Sequence, residues 1–69
     1  MTKWIWTVFC AYPDTPRGTY DEEIDVMAGT SGDARARAEE ILRLEYDAGL
    51  KIRKIKRSAP VIEGRSIYF

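Results

Sequence analysis

Three groups of side chains in this chain carry chemistry worth weighing. Cys10 is the single thiol and histidine is absent, so a thiolate nucleophile would lack the imidazole that ordinarily activates it. Val8, Phe9 and Ala11 surround it with apolar groups, and burial as a small hydrophobe is the expected role. Asp21, Glu23 and Asp25 alternate along the chain and would share one face of a strand. Such carboxylates attract a hard cation, but a straight strand lacks the wrapping loop that holds one, and a solvated acidic edge is expected instead. Lys51, Arg53, Lys54, Lys56 and Arg57 place five cations in seven positions. That density suits phosphate tracking on nucleic acid, but with no net basic excess the expected reading is an edge strand guarded against aggregation and paired in part with Glu39, Glu40 and Glu45. The turn Gly29 to Asp33 offers backbone N–H groups to an anion, but Asp33 would repel a phosphate, and the spacing fits no P-loop or dinucleotide fingerprint. The expected protein is therefore not an enzyme and uses no cofactor and no metal.

The elements that carry these groups follow from pattern. Residues 2 to 12 are rich in β-branched and aromatic types and free of Gly and Pro, which predicts a long strand. Pro13, Pro16 and Gly18 make a turn-rich loop. From 19 to 28, Tyr20, Glu22, Ile24, Val26 and Ala28 alternate with Asp21, Glu23, Asp25 and Met27, predicting a half-exposed strand that pairs with the first as a hairpin. A helix is expected from the Thr30 and Asp33 capping pair to Ala48, closed by Gly49, with Ala34, Ala38, Ile41, Leu42 and Glu45 along one stripe. Leu50 to Arg57 is the third predicted strand, and residues 58–69 a short strand or arm, with Val61 to Phe69 available to fold back over the sheet.

This order predicts a single α+β domain over residues 1–69, ββαβ(β), with an antiparallel hairpin and a third strand parallel to the second, in sheet order 2-1-3. One helix covers only one face, yet the first strand is apolar on both. Tyr12 opposite Tyr20, Val8 opposite Ile24, Trp6 opposite Val26 and Trp4 opposite Ala28 form a consistent inner face, and a one-residue slip would turn Ile5 and Phe9 inward instead. We favour the tryptophans inside. The outer face then carries Ile5, Thr7, Phe9 and Ala11 beside Met27, with Asp21, Glu23 and Asp25 as an acidic rim.

The chain has 69 residues, with 11 basic and 11 acidic side chains and no net charge. Its 45% hydrophobic content excludes general disorder. The charge is segregated: residues 14–47 hold ten acidic against four basic groups, and residues 48–69 six basic against one acidic, so local fields are strong although the total is zero. The run Trp4 to Cys10 is too short to span a bilayer and lacks signal-peptide flanks, predicting a cytoplasmic protein with no membrane association. In size, motif poverty and α+β order the chain resembles the small orphan proteins of bacteriophages and mobile elements, some of which inhibit host defence or regulatory complexes. The function expected is a protein-binding module, an inhibitor or regulator using Ile5, Phe9 and Met27 with Asp21, Glu23 and Asp25. The alternative is a nucleic-acid-binding domain using the 51–57 cations. Stacking of two outer faces into a closed homodimer is also expected, because a chain this short has a thin core margin.

Overall fold

The computed structural model describes residues 3–60. Four elements follow one another there: β1 (Trp4–Ala11), β2 (Glu22–Ala28), α1 (Ser31–Glu45) and β3 (Lys51–Pro60). The strands form one sheet in the order β2-β1-β3. β1 is antiparallel to both neighbours, so β2 and β3 run parallel to each other. The α+β architecture and strand order are those expected, while the arm or strand at Val61 to Phe69 lies outside the described residues.

The hairpin has the register that buries the tryptophan side of β1. Trp4 pairs with Ala28, Trp6 with Val26 and Val8 with Ile24. Val8 and Cys10 are fully buried at the centre of a cluster with Val26, Ala28, Ala34, Ala38, Leu42 and Leu50, and Trp6 packs against its margin. The Trp6 indole N–H donates to the Ala28 carbonyl at 2.9 Å, so the half-buried ring keeps its polar group satisfied. Ala34, Ala38 and Leu42, spaced four apart, are the buried residues of α1; the two alanines let the helix lie close on the sheet. Cys10 is a free, buried thiol, and burial, with Glu22 nearby, raises its pKa. It therefore remains a protonated, unreactive group.

The helix starts as expected and ends early. Thr30 is the N-cap and its hydroxyl accepts the Asp33 N–H at 3.2 Å. The last helical hydrogen bond runs from Tyr46 N–H to the Leu42 carbonyl, and Gly49 is not in a left-handed conformation. The physical reason lies in Asp47: its carboxylate accepts the Gly49 N–H at 2.9 Å and its carbonyl accepts the Leu50 N–H. This turn drives Leu50 into the core ahead of β3. Glu45, placed on the buried stripe by spacing, is exposed.

β3 departs most from the regular strand predicted. Ile52 and Ile55 are three apart, so a straight strand would send them to opposite faces. Two irregularities resolve this: Cys10 pairs with Ile52 while Phe9 pairs with Lys54, leaving Arg53 as an extra residue, and Ser58 is likewise skipped between Arg57 and Ala59. The bulge at Arg53 puts both isoleucines against the core. The strand also continues past Arg57 to Pro60, giving Ile5 and Trp4 the partners Ala59 and Pro60.

Candidate interaction face

The sheet face away from α1 is organised as three rungs across the strands. Met27, Ile5 and Ala59 form an apolar rung; Asp25, Thr7 and Lys56 form the next; Glu23, Phe9 and Lys54 form the third. Each charged rung has its carboxylate on β2, a neutral residue on β1 and its ammonium on β3. Thr7 Oγ1 donates to Asp25 Oδ1 at 2.9 Å and lies 2.7 Å from the Ser58 hydroxyl, which fixes the middle rung. Phe9 lies against Tyr20, ring centroids 5.0 Å apart, and the Lys54 ammonium sits 5.6 Å from the Phe9 centroid. Met27 is 52% exposed and Tyr20 39%.

Of the residues assigned to partner binding, Ile5, Phe9, Met27, Glu23 and Asp25 share this face. Asp21 does not join the rim. Its backbone N–H donates to the Cys10 carbonyl, and its carboxylate turns into the 12–20 loop, accepting the Tyr12 N–H at 2.9 Å and the Thr15 hydroxyl. Tyr20 is also displaced from the inner face expected for it, because the chain leaves the ladder at Glu22. It becomes the aromatic cover of Phe9, a neighbour that alternation alone does not reveal.

The five-cation stripe is divided by the bulges. Lys54 and Lys56 are on the face left open by the described residues, and Lys51 lies opposite Ala11. The Arg53 guanidinium is a clamp on the loop: it donates to the carbonyls of Tyr12 at 2.9 Å, Thr15 at 2.8 Å and Pro16 at 3.2 Å. Arg57 pairs with Trp6 and lies over the Trp4 ring at 4.2 Å, on the helix side. The expected pairing with Glu39, Glu40 and Glu45 is not formed; among the described residues the single ion pair is Glu40 with Arg43, 3.6 Å and exposed. Arg53 and Tyr20, with Pro13, Thr15, Arg17 and Gly18, also bound an open depression of about 500 Å³. Gly18 takes φ +84° there, the positive value a type II turn requires at its third position.

The Asp21 bracket has a pH signature. The Thr15 hydroxyl, then the Tyr12 N–H and the nearby Arg53, hold its carboxyl below the ordinary value of 3.8. A depressed pKa stabilises the folded loop above the unfolded value, and that contribution disappears as pH falls through the folded one. The Tyr12 amide resonance is expected to titrate with a midpoint below 3.8, and Asp21→Asn should abolish that titration and expose the 12–20 loop to protease already at neutral pH. A midpoint at or above the ordinary value would refute the bracket.

These features define a class: a small α+β domain presenting a charge-ordered, partly apolar sheet face. No family model matches the chain, and neither the curated proteins nor the solved structures contain a match. Among the described residues, no helix is long and apolar enough to cross a membrane, and no three metal-ligating side chains converge.

Proposed function

We propose that the protein is a binding module acting on another protein through the open sheet face, as an inhibitor or regulator that works by covering a surface in the cytoplasm. The observation that carries this reading is the rung order: the column Ile5, Thr7 and Phe9, apolar but for Thr7, flanked by Glu23 and Asp25 on one side and Lys54 and Lys56 on the other. Exposed apolar groups rimmed by charge mark protein-binding surfaces, and charge ordered in one direction fixes the orientation of what docks. The complementary partner presents an apolar strip between a basic and an acidic margin. Nucleic acid fits less well, because Glu23 and Asp25 repel phosphate beside Lys54 and Lys56, while Arg53 and Arg57 are held elsewhere.

Met27→Lys and Phe9→Asp test the reading, the first with little risk to folding since Met27 is 52% exposed. Both variants, once shown to be folded, should weaken cross-linking of Lys54 and Lys56 to a bound protein by tenfold or more. Unchanged cross-linking in both would overturn the assignment. Binding to single-stranded nucleic acid that falls steeply with salt, is lost in Lys54→Glu/Lys56→Glu and ignores Met27→Lys, would replace it with the nucleic-acid reading.

A further inference from the structure

The partner pattern just derived occurs on the protein itself, and we infer that the open face pairs with the same face of a second copy about a twofold axis parallel to β1. This rests on reading the face as protein-binding, and names its occupant. A twofold lying between two stacked sheets and running along the strands preserves position along β1 and exchanges left for right. Glu23 then faces Lys54 of the other copy, Asp25 faces Lys56, and Met27 faces Ala59, because each pair occupies the two ends of one rung. Ile5, Thr7 and Phe9 lie along the axis, Ile5 and Thr7 meeting their own counterparts and Phe9 meeting its counterpart through the Tyr20 rings that lie against each.

The other way of stacking the faces fails on the same rung order. A twofold perpendicular to the strands leaves left and right unchanged and superposes β2 on β2, bringing carboxylates over carboxylates and ammoniums over ammoniums. Charge order therefore selects one of these two closed arrangements; both keep the strands of the stacked sheets aligned, so the selected one is compatible with aligned sheet packing. Both charged edges are satisfied twice per dimer, as an isologous contact requires.

The footprint sets the strength expected. Three strands by eight residues make a face of roughly 14 Å by 25 Å, small beside the roughly 800 Å² per partner of a standard interface. The pairing is accordingly weak and concentration-dependent, and it is strengthened at low salt because exposed charges are screened.

Charge exchange gives the decisive experiment, read by sedimentation of the full chain from about 10 µM to about 1 mM, the range a small interface implies. Wild type should pass from monomer to dimer and no further. Lys54→Glu/Lys56→Glu alone, and Glu23→Lys/Asp25→Lys alone, should each raise the dissociation constant tenfold or more. An equimolar mixture of the two should regain association as a heterodimer, since one copy is then acidic on both edges and the other basic on both. Met27→Lys should weaken every combination. A wild-type monomer across the range overturns the inference; if Met27→Lys still abolishes cross-linking to another protein, the binding module stands without the dimer. A monomer in which Met27 and Tyr20 contact residues 61–69 overturns both, because the chain then covers its own face. A dimer indifferent to all these substitutions places the contact elsewhere and also overturns the inference.

Discussion

The Val8→Asp chain is expected to be unfolded at 25 °C, with a far-UV spectrum and amide dispersion of a denatured protein. Val8 is 0% exposed on the central strand, between Ile24 and Ile55 and against the helix. An aspartate there loses the valine contacts and brings a carboxylate among the apolar groups of the core, a change that costs more than about 4 kcal/mol. A domain of 69 residues has on the order of 3–10 kcal/mol in total. A cooperative native-like melt in this variant would show that Val8 is not at the centre of the core.

The second large effect separates two leucines that are two residues apart in sequence. Leu42 is 5% exposed in the cluster and Leu44 is 72% exposed on the far side of α1. Leu42→Ala removes three buried carbons and leaves a gap beneath the helix, a loss of roughly 2–5 kcal/mol, which in a domain this small lowers Tm by roughly 10 °C or more. Leu44→Ala should stay within about 0.5 kcal/mol of wild type. Parallel thermal melts of the two variants read the difference directly, and equal losses would mean that the helix faces the sheet with another side.

The contrast between what pattern revealed and what it hid has a common physical source. Trp4, Trp6, Val8 and Cys10 alternate in phase with Ile24, Val26 and Ala28, and a slip by one residue would exchange the two faces, so both the β1–β2 register and the open-face position of Ile5, Phe9 and Met27 could be read from the sequence. Ile52 and Ile55 are out of phase with any regular strand. Where the extra residue sits depends on the shape of the core they enter, which no local pattern contains, and so Lys54 and Lys56 could not be assigned to the face of Phe9 beforehand. Tyr20 and Asp21 were hidden for a different reason: both continue the alternation of β2, but the loop closes by hydrogen bonds from Asp21 to Tyr12 and Thr15 and from Arg53 to three carbonyls. Those contacts span up to 41 residues in sequence and outweigh a local preference for strand.

The two bulges of β3 also govern how copies of the chain behave when crowded. Its sheet has an acidic margin at β2 and a basic margin at β3, a combination that would string molecules side by side into a fibre if both margins were flat. β2 pairs along seven residues without a break, but β3 is kinked at Arg53 and Ser58 and carries Pro60, which has no N–H to offer. A bent margin interrupted by a proline is a poor template for a straight strand along its length. The same insertion that seats Ile52 and Ile55 together in the core thus denies growth at one end of every would-be filament, keeping a chain with opposite charges on its two sides from polymerising.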